Sequence, residues 1–157
     1  MEKIILNNGL EMPLLGYGLF KVDPKESERC VRDALSLGYR MIDTAQFYAN
    51  EAQVGKAVAE SGIPREELFI VTKVWMNHGG ENGSFASIEE SLRKLRTDYV
   101  DLLLVHQPYG DYYSIYRTLE KALSEGKTRA IGLSNFYDDR FYDMAFSATI
   151  KPAINQL

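Results

Sequence analysis

A single cysteine, Cys30, cannot close an internal disulfide, so the chain has no covalent staple of its own and suits a reducing compartment. No apolar run approaches the ~18 residues that cross a bilayer. Met1–Leu10 lacks the basic start and apolar core of an export signal. These absences predict a cytoplasmic protein with no membrane partner. Positive charge is not in excess: 18 Lys and Arg stand against 22 Asp and Glu, a net charge of −4. That argues against nucleic acid as a main partner. His78 has no companions at metal-ligand spacing, so no metal is expected. Gly79, Gly80 and Gly83 follow no phosphate-cradling order, and they read as a mobile loop. Arg93, Lys94 and Arg96 read most simply as the solvated face of a helix. Linkers and low-complexity tracts are missing, which leaves residues 1–157 as one expected domain.

What remains is 45% apolar and 25% charged, ordinary for a globular protein. Asn8-Gly9 between two short apolar runs signals a hairpin. Short strands then alternate with helices. Strands are expected at 14–18, 41–43, 69–73, 99–106, 130–134 and 153–157. Asp23-Pro24-Lys25-Glu26 starts the first helix with a capping Asp and Pro at the first helical position. Val31, Ala34, Leu35 and Leu37 give that helix its apolar face, and Gly38 stops it. Asn50 is expected to cap the second helix, which packs Val54, Ala57 and Val58 inward and ends at Gly62. Ser87-Ile88-Glu89-Glu90 offers a capping box for the third, with Ser84 as an earlier start. The fourth carries Ile115, Leu119, Ala122 and Leu123 on one side, and the fifth spans 138–147. The LLLV run before His106 lacks alternation, as expected of a strand buried on both faces.

Most of these strands end in a polar residue suited to chemistry. Asp43, Lys73, His106, Ser134 and Gln156 recur at steps of 30, 33, 28 and 22 residues, about one strand-plus-helix unit. A repeated unit that delivers a polar residue to each strand's carboxyl end describes the catalytic rim of a parallel β/α barrel. A phenol is normally too weak an acid to donate a proton readily near neutral pH, and a nearby ammonium corrects that. Tyr48, Lys73 and Asp43 offer a phenol, an ammonium and a carboxylate to hold it, and His106 offers an imidazole for a substrate oxygen. The set suits proton delivery to a carbonyl while a nicotinamide cofactor supplies hydride, since no side chain can. Singly, each residue has a commoner structural reading: a loop cap, one of ten tyrosines, a solvated strand end, a core histidine.

The stretches LGYGLFKV, GYRMIDTAQFYANEAQVGKAV, REELFIVTKVW, SLRKLRTDYVDLLLVHQP, GKTRAIGLSNF and PAINQL resemble the aldo-keto reductases, in the family's order and over the whole chain. The resemblance implies that Tyr48 is the proton donor, that Lys73 lowers its pKa, that Asp43 pairs with Lys73, and that His106 orients the substrate carbonyl. It implies that Ser134, Asn135 and Gln156, beside Asp43, hold the nicotinamide end of NADPH, with NADH as an occasional substitute. Phe20 and Trp75, with His106, would line the pocket for a small carbonyl substrate. Gln107 departs from the tryptophan that many members carry after the histidine, and HQP resembles a bacterial subset of small-carbonyl reductases.

A complete barrel of eight units takes ~250 residues, and this chain holds about five and a half. In the family, a ring stacked on the nicotinamide comes from a seventh strand and a basic cluster for the 2′-phosphate follows an eighth. The expected fold is therefore an α/β, TIM-type parallel barrel truncated at the carboxyl end, opened by an amino-terminal hairpin. Its open edges are expected to favour self-association. The alternative reading is a non-catalytic truncated barrel that self-associates or serves as a binding module.

Overall fold

The computed structural model of the protein describes residues 2–157, so Met1, counted in the single-domain expectation, lies outside them. The chain opens with an antiparallel hairpin of β1 (Lys3–Ile5) and β2 (Glu11–Pro13). Gly9, at φ 84°, makes the turn, where its N–H reaches the Leu6 carbonyl at 2.9 Å. Six strands follow in one parallel sheet, paired in chain order: β3 (Tyr17–Gly18), β4 (Met41–Asp43), β5 (Phe69–Val74), β6 (Val100–Val105), β7 (Thr128–Ser134) and β8 (Asn155–Gln156). Helices α1 (Pro24–Ser36), α2 (Glu51–Ala59), α3 (Glu81–Leu95), α4 (Tyr112–Ser124) and α5 (Asp138–Ser147) connect them. The sheet curls as part of a barrel, with the hairpin at its amino-terminal end.

Two apolar cores follow from that curl. Ile42, Ile70, Leu103, Ile131 and their neighbours face the helices, where Val31, Val54, Ile88 and Leu119 meet them. Phe69, Val71, Leu102, Leu104 and Ala130 face the concave interior, closed from below by Leu6 and Met12 of the hairpin. Every residue of β5 and β6 is buried, which explains why neither strand alternates in sequence. Two side-chain amides tie the hairpin to the far end of the chain: Asn8 to the Arg129 carbonyl at 2.9 Å, and Asn7 to the Pro152 carbonyl at 3.1 Å.

Several local expectations shift. The first and last parallel strands are two residues long rather than five, because their outer sides have no partner strand among the described residues. Asp23 caps α1 as expected, accepting the Lys25 N–H at 2.9 Å. Leu37, assigned to that helix's apolar face, is 79% exposed, because the helix ends at Ser36 and the chain turns away. Asn50 sits at the start of α2 but makes no side-chain cap, since its amide is committed to buried partners described below. The third helix begins at Glu81, before either candidate cap. Ser84 and Ser87 lie inside it and bond backward to the His78 and Ser84 carbonyls at 2.5 and 2.8 Å. The expected glycine-rich loop thus shortens to a 3₁₀ turn over Met76–His78 and two glycines.

Candidate active site

Strand register fixes the first two members of the site. Asp43 ends β4 and Lys73 is the penultimate residue of β5, so both reach the carboxyl-terminal rim. Lys73 is 1% exposed. Its ammonium contacts Asp43 Oδ1 directly, donates to the Thr44 carbonyl at 3.0 Å, and lies 3.5 Å from the Tyr48 hydroxyl. Tyr48 closes a 3₁₀ turn over Gln46–Tyr48, and Ala49 at φ 55° ends that turn. The buried Asn50 pins it: its Oδ1 accepts the Thr44 hydroxyl at 2.6 Å, and its Nδ2 reaches Ser27 Oγ at 3.2 Å. That task accounts for the missing cap.

His106 follows β6 directly and is anchored by its N–H on the Val74 carbonyl at 3.1 Å. Its ring stands edge-on to Tyr48 (5.5 Å between centroids) and to Trp75 (5.0 Å). Phe47 stacks on Trp75 at 4.1 Å, and Phe20 leans on Tyr48 at 5.3 Å. On the opposite side, Asn135 at φ 63° turns the chain out of β7, and its Nδ2 donates to the His106 carbonyl at 3.1 Å and Ser134 Oγ at 3.0 Å. Gln156 spans from β8 to Asp43 Oδ2 at 2.8 Å. The result is a cleft of about 530 Å³ lined by Phe20, Asp43, Tyr48, Trp75, His106, Ser134, Asn135 and Gln156. The structure thus brings together every residue singled out from the sequence, with Lys73 lying just beneath the cleft floor.

The electrostatics depart from one expectation. Burial, with the Asp43 carboxylate adding to it, pushes the Tyr48 phenol up to about 12 rather than down. The Lys73 charge is matched by Asp43 in contact and by the Thr44 carbonyl, so little net positive field reaches a hydroxyl 3.5 Å away. Burial lowers the Lys73 pKa, opposed by Asp43. Burial and then the Lys73 charge hold His106 down at about 4, so its imidazole is neutral near pH 7. Its Nδ1 is buried without a partner among the described residues.

Sequence reasoning missed Phe47 and Leu157, which also line the cleft, and treated Gln107 as a family departure rather than as part of the wall. The signal for Phe47 was its place beside Tyr48. Leu157 carried no comparable signal. Among the described residues, no cluster of three or more His, Cys, Asp or Glu could hold a metal ion, and no helix is long and apolar enough to cross a membrane.

A curled parallel β/α sheet thus gathers a phenol, an ammonium, a carboxylate and an imidazole at its carboxyl rim. The model of the aldo/keto reductase family matches residues 14–157, and the chain belongs to that family. It is 46% identical over 158 residues to glyoxal reductase of Bacillus subtilis, covering 99% of this chain and 57% of that protein. An aldo/keto reductase from Brucella melitensis superposes with a TM-score of 0.95 at 38% identity, covering 98% of this chain and 61% of the other. A Bombyx mori aldo-keto reductase in complex with NADP gives a TM-score of 0.93 at 33% identity, covering 98% of this chain and 57% of the other. The chain spans a little over half the length of the curated relatives it matches.

Proposed function

We propose that this site reduces aldehydes or ketones to alcohols with NADPH, Tyr48 delivering the proton. The observation that carries the reading is Lys73 Nζ, in contact with Asp43 and 3.5 Å from the Tyr48 hydroxyl, beneath a cleft that His106 also lines. A reduced nicotinamide dinucleotide supplies the hydride when bound. The polar atoms on the β7–β8 side suit its carboxamide. Ser134 has a hydroxyl hydrogen to give, and Asn135 Oδ1 and Gln156 Oε1 can each accept an N–H, since their amide nitrogens are already engaged. The Bombyx mori relative's complex with NADP supports this choice of cofactor.

The chain's own groups divide the remaining work. His106, neutral at working pH, can present an N–H to the carbonyl oxygen without placing a second positive charge beside Lys73. Tyr48, at about 12, stays protonated and ready to give. Its acceptor is an oxygen becoming an alkoxide, whose conjugate acid has a pKa near that of water, ~16. Transfer from a phenol at about 12 therefore still runs downhill, without prior lowering. The phenolate left behind can accept a hydrogen bond from the Lys73 ammonium 3.5 Å away, and Asp43 holds Lys73 in place. Phe20, Phe47 and Trp75 form the apolar side of the cleft.

Tyr48→Phe tests the assignment. NADPH-dependent reduction of a small aldehyde should fall by ~10²–10⁴-fold, while NADPH affinity stays nearly unchanged. Unchanged turnover would remove Tyr48 from the role.

A further inference from the structure

Gln46 opens the short turn that Tyr48 closes, and its side chain bonds away from the cleft. Its Oε1 accepts the Trp75 backbone N–H at 2.8 Å. Its Nε2 donates to the Ser87 carbonyl at 3.1 Å, Ser87 Oγ at 3.2 Å and Ser91 Oγ at 3.1 Å. Ser91 and Thr72 in turn donate to the buried Glu51 at 3.3 and 2.7 Å, and Thr72 precedes Lys73. One amide therefore joins the turn bearing the phenol, the backbone of an aromatic wall, and helix α3.

Packing alone does not make that connection. Behind Gln46 lies an open cleft of about 350 Å³, lined also by Glu51, Ser87 and Ser91. In front, the Trp75 ring stacks on Phe47, which rides on the same turn and is 56% exposed. The Phe47–Trp75 stack is half open to solvent, so the partly buried Gln46 bonds are the directional link between the turn and the Trp75 backbone.

We propose that Gln46 is a positioning residue that fixes the Trp75 wall relative to Tyr48. It thereby sets which carbonyl compounds lie with their body on Trp75 and their oxygen at Tyr48. The second half of this rests on the carbonyl-reductase reading above; the first half stands on the bonding pattern alone.

Trp75 is the chain's only tryptophan, so fluorescence excited beyond the tyrosine absorption reads this wall. Gln46→Met keeps the length and removes every hydrogen bond; Gln46→Glu keeps an oxygen for the Trp75 N–H. With far-UV circular dichroism unchanged, Gln46→Met should red-shift Trp75 emission and raise its acrylamide quenching constant, while Gln46→Glu, which keeps the acceptor for the Trp75 N–H but loses the Nε2 donor, should fall between it and wild type. Wild-type emission and quenching in a folded Gln46→Met would overturn the proposal. Should that variant fail to fold, Ser91→Ala removes one Nε2 acceptor with Gln46 intact, and the same smaller shift is expected; no shift overturns it. Titration with benzaldehyde reads the second half: Gln46→Met should weaken saturable quenching of Trp75 about tenfold, one hydrogen bond's worth, and equal affinities would refute it. Absence of saturable quenching in the wild type would count against the carbonyl site itself, and the emission without ligand then decides Gln46 separately.

Discussion

His106 shows how one side chain's surroundings set both its chemistry and a pH signature. Burial and the Lys73 charge hold it at about 4, against 6.5 unperturbed. Between those values the unfolded chain binds a proton that the folded chain refuses, so stability rises with pH across the window. The contribution is complete above about 6.5 and is lost as pH falls towards about 4. Urea midpoints measured from pH 7 down to 4 should fall less steeply for His106→Gln than for the parent. Identical slopes would mean that the imidazole titrates normally. At this scale the site was largely legible, because each polar residue follows a recognisable strand. Two things were not. The direction of the Tyr48 shift depends first on its burial and then on the nearness of the Asp43 carboxylate, which sequence spacing cannot give. Gln46 and Phe47 carry ordinary side chains whose importance comes only from what α3 and Trp75 bring to them.

Elements were read better at their centres than at their ends. Asp23 and Pro24 marked the start of α1 because the cap is local chemistry. Asn50 and Ser87 misled because the same side chains, which look like caps, serve tertiary bonds instead. Helix contacts hold a feature with no local signal at all. A Cβ built on Gly55 of α2 would lie 2.3 Å from the Lys94 carbonyl oxygen and 2.6 Å from the Leu95 backbone, so α2 meets the end of α3 backbone to side-chain-free backbone. Gly83 of α3 would meet nothing closer than the His78 carbonyl at 3.4 Å. The same substitution should therefore have opposite signs. Gly83→Ala gains ~0.5–1 kcal/mol from helix propensity, whereas Gly55→Ala should lose ~1–3 kcal/mol net because two backbones must separate. Urea denaturation of both variants checks this, and a stabilised Gly55→Ala would show that α2 slides freely on α3.

Across the whole molecule, firmness and chemistry are distributed unevenly. β5 and β6 are six residues long, buried throughout and paired on both sides, and they carry Lys73 and the anchor of His106. β3 and β8 are two residues long, nowhere fully buried, and paired on one side only among the described residues. β8 and the residues leading into it are held through Ala153 N to the Ile131 carbonyl at 2.8 Å, Leu133 N to the Ile154 carbonyl at 2.9 Å, Asn135 N to the Gln156 carbonyl at 2.8 Å, Asn155 Nδ2 to the Phe136 carbonyl at 2.7 Å, and the Gln156–Asp43 bond across the cleft. Lys73 and His106 thus rest on the firm centre, and the proposed carboxamide contacts rest on the edge of the sheet. Native-state hydrogen exchange should show protection falling from β5–β7 outward to β3 and β8. A ligand that binds Asn135 and Gln156 stabilises only conformations in which β8 is docked, so it must raise protection there more than at the centre. Saturating NADPH should slow exchange at the Asn135 amide and in β8 while leaving β6 nearly unchanged. Equal protection across all six strands would contradict the gradient. A cofactor effect that bypasses β7 and β8 would move the nicotinamide site away from Ser134, Asn135 and Gln156.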